Sequence, residues 1–257
     1  MELAFKDYNY KNHKLSFTIK EKEINGITGN HLEEIISMIR LQRDIHNIFV
    51  NKKELKDKTL KAKIAFVRER IEESIHEQTV GDQMIEYLKR EDIYPKNVLK
   101  KLKDALKIVG LKEDVLVRNI YSLSTSEQKL VQISLELLCN PEIIILEEPM
   151  KVLDGKNQKK IMMVLKRLKE EYGKAIVIIS QDPELLYQET DHAIIYHNHQ
   201  ILLEGKTTEI YQKTDIFRKN KLPLPEIIEF IEMARKHQKI EYVRDIRDLI
   251  KDIYKHV

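Results

Sequence analysis

The sequence predicts an α/β fold built around a parallel sheet. Residues 142–146 include three consecutive isoleucines and follow a helical stretch that ends at Pro141. A short apolar run in this position is typical of a strand buried within a parallel sheet. Residues 157–172 have the apolar spacing of an amphipathic helix, and residues 175–179 (AIVII) form a second buried strand. Strands that alternate with helices in this way indicate an α/β core.

Two acidic residues, Glu147 and Glu148, directly follow the isoleucine-rich strand. Open α/β sheets bind ligands at the carboxyl ends of their strands. Adjacent carboxylates there suit metal-nucleotide chemistry, because one can hold Mg²⁺ while the next orients an attacking water. The alternative interpretation is a solvated strand end with two surface glutamates.

Composition favours one domain with an appendage or subdomain. The 257 residues can bury a substantial core, and a net charge of only +3 with 34% charged residues gives no reason to expect nucleic acid as a partner. The single cysteine, Cys139, is expected to be a small buried residue in a reducing cytosol. The first residues lack a signal-peptide core and apolar runs are short, so membrane association is expected through a partner only.

Four short motifs resemble those of ATP-binding cassette (ABC) ATPases and occur in that family's order. Residues 123–128 (LSTSEQ) lie where the family has its LSGGQ or LSGGEQ signature, and residues 143–149 (IIILEEP) resemble its Walker B strand. Residues 152–154 (VLD) match the D-loop, and residues 180–182 (SQD) follow the next strand where the family has Ser-His-Asp. The resemblance implies a P-loop NTPase-type core, a parallel sheet with an antiparallel β edge, and an inserted α-helical subdomain.

The resemblance assigns roles to the acidic and amide residues of these motifs. Glu147 takes the position of the Walker B aspartate, a metal ligand, and Glu148 takes that of the catalytic glutamate. Gln181 replaces the switch histidine; its amide can donate a hydrogen bond but cannot relay a proton. Asp154 is the D-loop aspartate.

The phosphate-binding loop that the family carries after its third strand is degenerate here. Strands are predicted over residues 2–8, 14–19 and 23–28, and the last is followed by GNHLEEII. The loop is about three residues short and lacks the second glycine pair and the lysine. Gly26, Gly29 and Asn30 are the remaining nucleotide-binding candidates.

The residues after Gly29 predict that the chain fills this half-site itself. Asn30 and Glu33 have the spacing of a helix capping box, which would satisfy the amides that otherwise face phosphate. Glu33 and Glu34 would also repel a bound phosphate. His31 is interpreted as an exposed helix-start residue, with a phosphate contact as the alternative.

Two other aromatic or histidine features have competing interpretations. Tyr10 falls near the adenine-stacking aromatic of the resembled family, and packing on a half-buried strand is the alternative. Residues 191–204 predict a hairpin around His197 and His199. These two histidines form a polar hairpin tip or, alternatively, part of a metal site that has no evident third ligand.

Residues 67–80 (VRERIEESIHEQTV) resemble the Q-loop region of energy-coupling factor (ECF) ATPase subunits. The match places Glu69 on the Q-loop glutamine, which in that family contacts the metal. A carboxylate there can reach a cation but repels phosphate in the absence of one. Residues 81–110 predict helices with a break at Tyr94 and Pro95, as expected of the helical subdomain.

The signature residues are altered but better preserved than the phosphate loop. In the family's dimers, this motif closes over the ATP of the opposite subunit, and Ser124 survives here while Glu127 and Gln128 fit an accepted variant. Thr125 and Ser126 replace two glycines and add side chains at positions of close backbone approach. Their hydroxyls can still hydrogen-bond phosphate or a bridging water.

The resemblance predicts two regions and a role. Residues 1–218 are the ABC ATPase-like domain, with a core of 1–68 and 141–218 and a helical subdomain at about 69–140; residues 219–257 are a helical extension for dimerisation, or else a solvated tail. The implied role is that of an ECF-type importer subunit, peripheral to the inner face of the membrane. It would complete the ATP site of an intact paralogue. A weak ATPase and a non-catalytic scaffold are the alternatives.

The resemblance also implies cofactors and partners. ATP and Mg²⁺ are the implied cofactors, with the partner's site as one place where they would bind. The implied partners are a second ABC ATPase subunit, in a homo- or heterodimer, and a transmembrane transporter subunit.

Overall fold

The computed structural model describes residues 1–42, 45–56, 60, 63–69, 79–151, 153–236 and 240–255. Val152 of the D-loop match and residues 70–78 of the Q-loop match lie outside the described residues. The chain divides into two compact units, one of Met1 with residues 56–177 and one of residues 2–55 with 178–257.

The second unit begins with strands close to those predicted. Its first elements are β1 (Leu3–Tyr10), β2 (His13–Ile19), β3 (Ile24–Gly29), α1 (Leu32–Ile39), β4 (Ile48–Val50) and β5 (Lys53–Glu54). Four strands form a sheet in the order β2-β1-β4-β5. The rings of Phe5 and Phe17 stack with centroids 4.4 Å apart between β1 and β2. All six residues of β3 are buried.

Helix α1 begins differently from the prediction. Its N-cap residue is His31, in a left-handed conformation with φ 53° and ψ 39°, and no side chain caps the helix. The predicted Asn30–Glu33 capping box is therefore wrong. The reason is that the Asn30 side chain bonds to Asn198 instead.

The first unit contains the isoleucine-rich strand and most of the residues for which the helical subdomain is predicted. Its elements are β6 (Ile64–Val67), α2 (Val80–Arg90), α3 (Val98–Ile108), α4 (Thr125–Leu137), β7 (Ile143–Glu147), α5 (Gly155–Glu170) and the beginning of β8 (Ala175–Ile179). Strands β6 and β7 are parallel, with Ile64 opposite Ile143 and Val67 opposite Leu146. Residues 143–146 are fully buried, so the predicted buried parallel strand is confirmed.

Helix ends in the first unit follow local side-chain chemistry. The predicted break at Tyr94 and Pro95 separates α2 from α3. Helix α5 begins two residues earlier than predicted because Asp154 accepts a hydrogen bond from the Asn157 N–H at 2.8 Å. Two short 3₁₀ turns, Glu113–Val117 and Ile120–Ser122, precede α4. Cys139, after α4, is half-buried rather than fully buried.

The rest of the second unit supplies a hairpin and helices. Its elements are α6 (Pro183–Glu189), β9 (His192–His197), β10 (Gln200–Lys206), α7 (Thr207–Ile210), α8 (Thr214–Lys219), α9 (Glu226–Ala234) and α10 (Ile246–Lys255). Strand β9 pairs parallel with β3 and antiparallel with β10, so the predicted hairpin is present with Asn198 and His199 at its tip. Helices α9 and α10 lie within the predicted helical extension of residues 219–257 and pack around Ile231, Ile240 and Leu249.

Within the described parts of the chain, no helix combines the length and the apolar character that crossing a bilayer requires.

Candidate functional site

The turn after β3 is organised around the carboxylate of Glu34. One oxygen lies 2.6 Å from Lys11 Nζ; the other lies 2.7 Å from the Tyr196 hydroxyl and 2.7 Å from His199 Nδ1. The Glu34 side chain is only 8% exposed. The three donors come from the β1–β2 turn and the β9–β10 hairpin, so they fix two distant segments to the start of α1.

These contacts hold Glu34 in its charged form. Burial acts to raise the pKa of Glu34, but the hydrogen bonds from Lys11, Tyr196 and His199 outweigh it and lower the pKa to about 2. A buried carboxylate that accepts several charge-assisted hydrogen bonds is stable as an anion. The start of α1 therefore already carries a negative charge at neutral pH.

The backbone between β3 and α1 is also fixed to the hairpin. The Asn30 N–H donates to the Tyr196 carbonyl at 3.1 Å, and the Asn30 side chain exchanges two hydrogen bonds with Asn198, at 2.7 and 2.8 Å. Gly29 has φ +133°, and a Cβ there would lie 1.5 Å from the backbone carbonyl oxygen of Tyr196. Only glycine fits this approach.

Gly26 and Gln181 are engaged within the same unit. A Cβ on Gly26 would meet Thr190 at 2.9 Å, so this glycine permits close packing of β3 on the segment after α6. The Gln181 side-chain N–H donates to the Gly29 carbonyl at 2.8 Å. The amide at the switch position therefore binds the backbone of the shortened loop.

Tyr10 and the histidines surround the Glu34 cluster. Tyr10 is 4% exposed, which favours its packing interpretation. The His199 ring stacks on His31 with centroids 5.3 Å apart and lies 5.8 Å from His13. No group of three His, Cys, Asp or Glu side chains suited to a metal ion occurs among the described residues.

The signature residues form a regular helix start on α4. Ser124 and Glu127 form a reciprocal capping box, in which the Ser124 backbone N–H donates to the Glu127 carboxylate at 2.9 Å. The carboxylate's bonds to Ser124 lower the pKa of Glu127. Ser124 and Thr125 are exposed, whereas Ser126 is buried. The Gln128 side chain donates to the backbone carbonyls of Ile120, in the preceding 3₁₀ turn, and of Leu123.

The acidic residues after β7 share their unit with two lysines. Glu147 is half-buried at the end of β7, and Glu148 has a left-handed backbone with φ 42°. Glu69 pairs with Lys151 at 2.9 Å. Lys129, from α4, donates to the backbone carbonyls of Arg68 and Glu69 at 2.7 and 2.8 Å.

Lys129 is a functional candidate that the sequence analysis missed. Its burial, opposed by attraction to Glu69 and Glu147, lowers the pKa of its ammonium group to about 8. A lysine on the buried face of an amphipathic helix is the available sequence signal, because lysine is almost never fully buried unless it is paired. The contacts of Lys11, Tyr196 and His199 with Glu34 were missed because the residues are distant in sequence.

The residues at the turn after β3 do not fit a nucleotide phosphate. A phosphate-binding turn presents backbone N–H groups and a lysine to the anion, but here the Asn30 N–H is bonded to Tyr196 and a Glu34 carboxylate lies at the helix start. In the other unit, Glu147 and Glu148 carry carboxylates, whose oxygen atoms are ligands that Mg²⁺ prefers.

The ABC transporter family model matches residues 12–151 of this chain. The ECF transporter ATP-binding protein EcfA2 of Bacillus cereus is 28% identical over 180 residues, covering 70% of this chain and 61% of that protein. EcfA3 of Oenococcus oeni is 29% identical over 203 residues, covering 77% and 69% of the two chains. The chain thus spans about three fifths of the length of the Bacillus relatives.

Solved structures show the same fold. The structure of cbiO1 from Clostridium perfringens, described as part of the ABC transporter complex cbiONQ, has a TM-score of 0.72 at 22% identity, covering 90% of this chain and 98% of that one. A dimeric ATP-binding cassette in a post-hydrolysis state bound to ADP and Pi has a TM-score of 0.63 at 23% identity, covering 80% and 98%. Since the family model also covers more than half of the sequence, this chain belongs to the ABC transporter family.

Proposed function

We propose that this chain is the ATP-binding-cassette subunit of an ECF-type importer and that it completes the ATP site of an intact paralogue. Its similarity to EcfA2 and EcfA3 supports the importer class. The transported substrate would be a vitamin or a metal ion, as for the class of importer that the sequence resembles. The proposal places the protein at the inner face of the membrane, bound to a transmembrane subunit.

The observation that carries the proposal is the contrast between the two motifs. The turn after β3 holds its own carboxylate, Glu34, where an intact cassette would receive phosphate. The signature helix instead begins with exposed hydroxyl residues, Ser124 and Thr125, on a well-formed cap. A chain of this kind is suited to contribute to a partner's ATP and poorly suited to bind its own.

The proposed contribution to the partner's site is made by residues 124–128. The Thr125 hydroxyl would donate to a phosphate across a dimer interface, and the N-terminal end of α4 adds a favourable field for an anion. The Ser124 hydroxyl donates to the Glu127 carboxylate at 2.7 Å within this chain, and it would exchange that hydrogen bond for one to the phosphate. Ser126 and Gln128 are bonded within the unit and act as support for this surface. Asp154, which caps α5, supports the neighbouring loop.

A weakly active ATPase is a second candidate, favoured by Glu147 and Glu148 at the end of β7. In that reading Glu147 would hold Mg²⁺ and Glu148 would act as the base. Slow hydrolysis by the purified chain, abolished by Glu148→Gln, would support it. A scaffold role would instead predict that transport survives the combined loss of Ser124 and Glu148.

We propose that residues 219–257, which follow the ATPase-like domain of residues 1–218, form the subunit contact of the dimer. Helices α9 and α10 leave large apolar side chains exposed: Phe230, Met233, Ile246, Ile250 and Tyr254. Exposed apolar surface on paired helices suits a subunit contact. Truncation after residue 218 should weaken association with the partner ATPase.

The test begins with the chain alone. Calorimetry should detect no micromolar binding of Mg-ATP to the purified protein, and micromolar binding would defeat the proposal. The chain should then be co-purified from the native membrane, and the accompanying ATPase subunit should be the one that binds ATP.

The contribution of the signature is tested in that complex by a matched pair of substitutions. Thr125→Asp places a negative charge beside the partner's phosphate, while Thr125→Asn has a similar size without the charge. Thr125 is exposed, so side chains of similar size are accommodated there, and an acidic residue in the first turn of α4 is also favoured by the helix dipole; both variants should therefore fold. We expect Thr125→Asp to lower the ATPase rate of the complex by roughly tenfold or more through charge repulsion. Equal rates for the two variants would contradict the proposed contact.

A further inference from the structure

We propose that Lys11, Tyr196 and His199 form a binding site for a small anion, and that the chain's own Glu34 carboxylate is its resident ligand. A free carboxylate or inorganic phosphate would occupy the site when the Glu34 side chain is removed. The inference rests on the proposed function only in treating the turn after β3 as closed to nucleotide. It adds that the three side chains around Glu34 are selective for a small anion.

The geometry is that of an anion receptor. Three donor groups of different chemistry, an ammonium, a phenol and an imidazole, converge on one carboxylate at 2.6, 2.7 and 2.7 Å. They lie 23, 162 and 165 residues from Glu34 along the chain. Donors that converge from distant segments are positioned by the fold and not by the local conformation of the acid they bind.

The surroundings of the carboxylate also favour an anion. The His13 and His31 rings lie 5.8 and 5.3 Å from the His199 ring. The neighbouring acid, Glu33, is 75% exposed and lies 3.7 Å from His31 on the solvent side. The receptor is therefore lined by donors and imidazoles, with Glu34 as the anion they enclose.

Removal of the Glu34 side chain would leave this receptor without its ligand. The Tyr196 residue is fully buried, so its hydroxyl would lose its partner away from solvent, which is unfavourable. The Lys11 ammonium would lose its counter-charge. Glu34→Ala removes the carboxylate and one methylene group, which are the heavy atoms of acetate, and an added anion can restore the missing hydrogen bonds.

The experiment is chemical rescue of Glu34→Ala, with Glu33→Ala as the matched control on the same helical turn. Melting temperatures are measured in sodium chloride, formate, acetate and phosphate at constant ionic strength. We expect Glu34→Ala to melt below wild type, and formate or acetate to raise its melting temperature by about 3 °C or more relative to chloride. For each salt, wild type and Glu33→Ala should show the same general salt effect on the melting temperature. Lys11→Met in the Glu34→Ala background should remove the rescue.

Two results would overturn the proposal: an unaltered melting temperature for Glu34→Ala, or a loss that no anion reverses. If Glu34→Ala does not fold, a second measurement uses the near-isosteric Glu34→Gln. Lys11→Met should then lower the melting temperature in wild type and have little effect in Glu34→Gln, because the ammonium no longer has an anion to bind. Equal effects of Lys11→Met in the two backgrounds would contradict the receptor.

Failure of the inference and failure of the proposed function are distinguishable. Binding of Mg-ATP to wild type would defeat the proposed function. It would not change whether formate or acetate raises the melting temperature of Glu34→Ala. Absence of rescue would defeat the receptor and leave the signature test with Thr125 unaffected.

Discussion

Replacement of Lys129 by methionine should alter how stability depends on pH. Lys129 is 6% exposed on α4, and its ammonium donates to the backbone carbonyls of Arg68 and Glu69. Burial lowers the pKa of Lys129 from 10.5 to about 8, against the opposing attraction of Glu69 and Glu147. The charged form is therefore held in the folded protein at a substantial desolvation penalty.

The magnitude follows from the pKa difference. A pKa that falls from 10.5 in the unfolded chain to about 8 in the folded one corresponds to about 3 kcal/mol. Between these two values the unfolded chain binds the proton and the folded chain does not, so wild type gains stability as pH rises through this window. Below pH 8 both states hold the proton, and the gain is absent. The methionine variant has no such group and should not show the gain.

At neutral pH the expected effect is smaller because two changes oppose each other. The variant loses two hydrogen bonds from a charged donor, each worth about 1.5–3 kcal/mol. It also escapes the net cost of about 3 kcal/mol for holding the charged form, in which burial outweighs the attraction of Glu69 and Glu147. We therefore expect a net destabilisation of about 0–3 kcal/mol at pH 7.

The assay is urea unfolding of wild type and Lys129→Met from neutral pH to about pH 10. The difference between the two free energies of unfolding should grow in favour of wild type by about 3 kcal/mol as pH approaches 10.5. Lys159→Met, at an exposed position on α5, is the control and should give a flat difference. A flat or falling difference for Lys129→Met above pH 8 would refute the burial argument.

Three further outcomes are expected. The pKa of Glu34 is lowered from 4.5 to about 2, so its stabilisation of about 3 kcal/mol is complete above pH 4.5 and is lost as pH falls through 2. In acid titrations, the free energy of unfolding should therefore fall less steeply for Glu34→Gln than for wild type. Equal slopes for the two proteins would contradict this. Gly29→Ala should fail to fold stably, because its Cβ would lie 1.5 Å from the Tyr196 oxygen at φ +133°; a normal circular-dichroism melt would count against the described approach. Ser124→Ala should lose about 1 kcal/mol from the cap of α4, whereas Ser122→Ala should lose less in the same urea titration.

The strands of the core could be predicted because their signal is local. Residues 143–146 and 175–179 are continuous apolar runs, and such runs have few alternatives to a buried strand. The ends of α5 and the hairpin at Asn198 were also predictable to within a few residues, because caps and turns depend on neighbouring side chains.

The closure of the turn after β3 could be predicted only in outline. The sequence shows that the lysine is lost and that acids follow, but the capping box expected from Asn30 and Glu33 does not form. Asn30 bonds to Asn198, 168 residues away, and no local pattern contains that information. Helical periodicity offered a partial signal, since Glu34 shares a face with buried Met38 four residues on, whereas Glu33 points outward.

In both units, the chain's own side chains supply the charges around the predicted nucleotide and metal positions. In the second unit, the negative charge at the start of α1 is supplied by Glu34. In the first unit, the positive charges near Glu69 are supplied by Lys151 and Lys129. Lys151 is 54% exposed, so its pair with Glu69 contributes little to stability on its own, but it balances the carboxylate. Under the proposed function, these internal charges take the place of those that a bound nucleotide and metal would supply to this chain. Its melting temperature should accordingly not change on addition of Mg-ATP or of a chelator, and a concentration-dependent rise with Mg-ATP would show that the charges are not balanced internally.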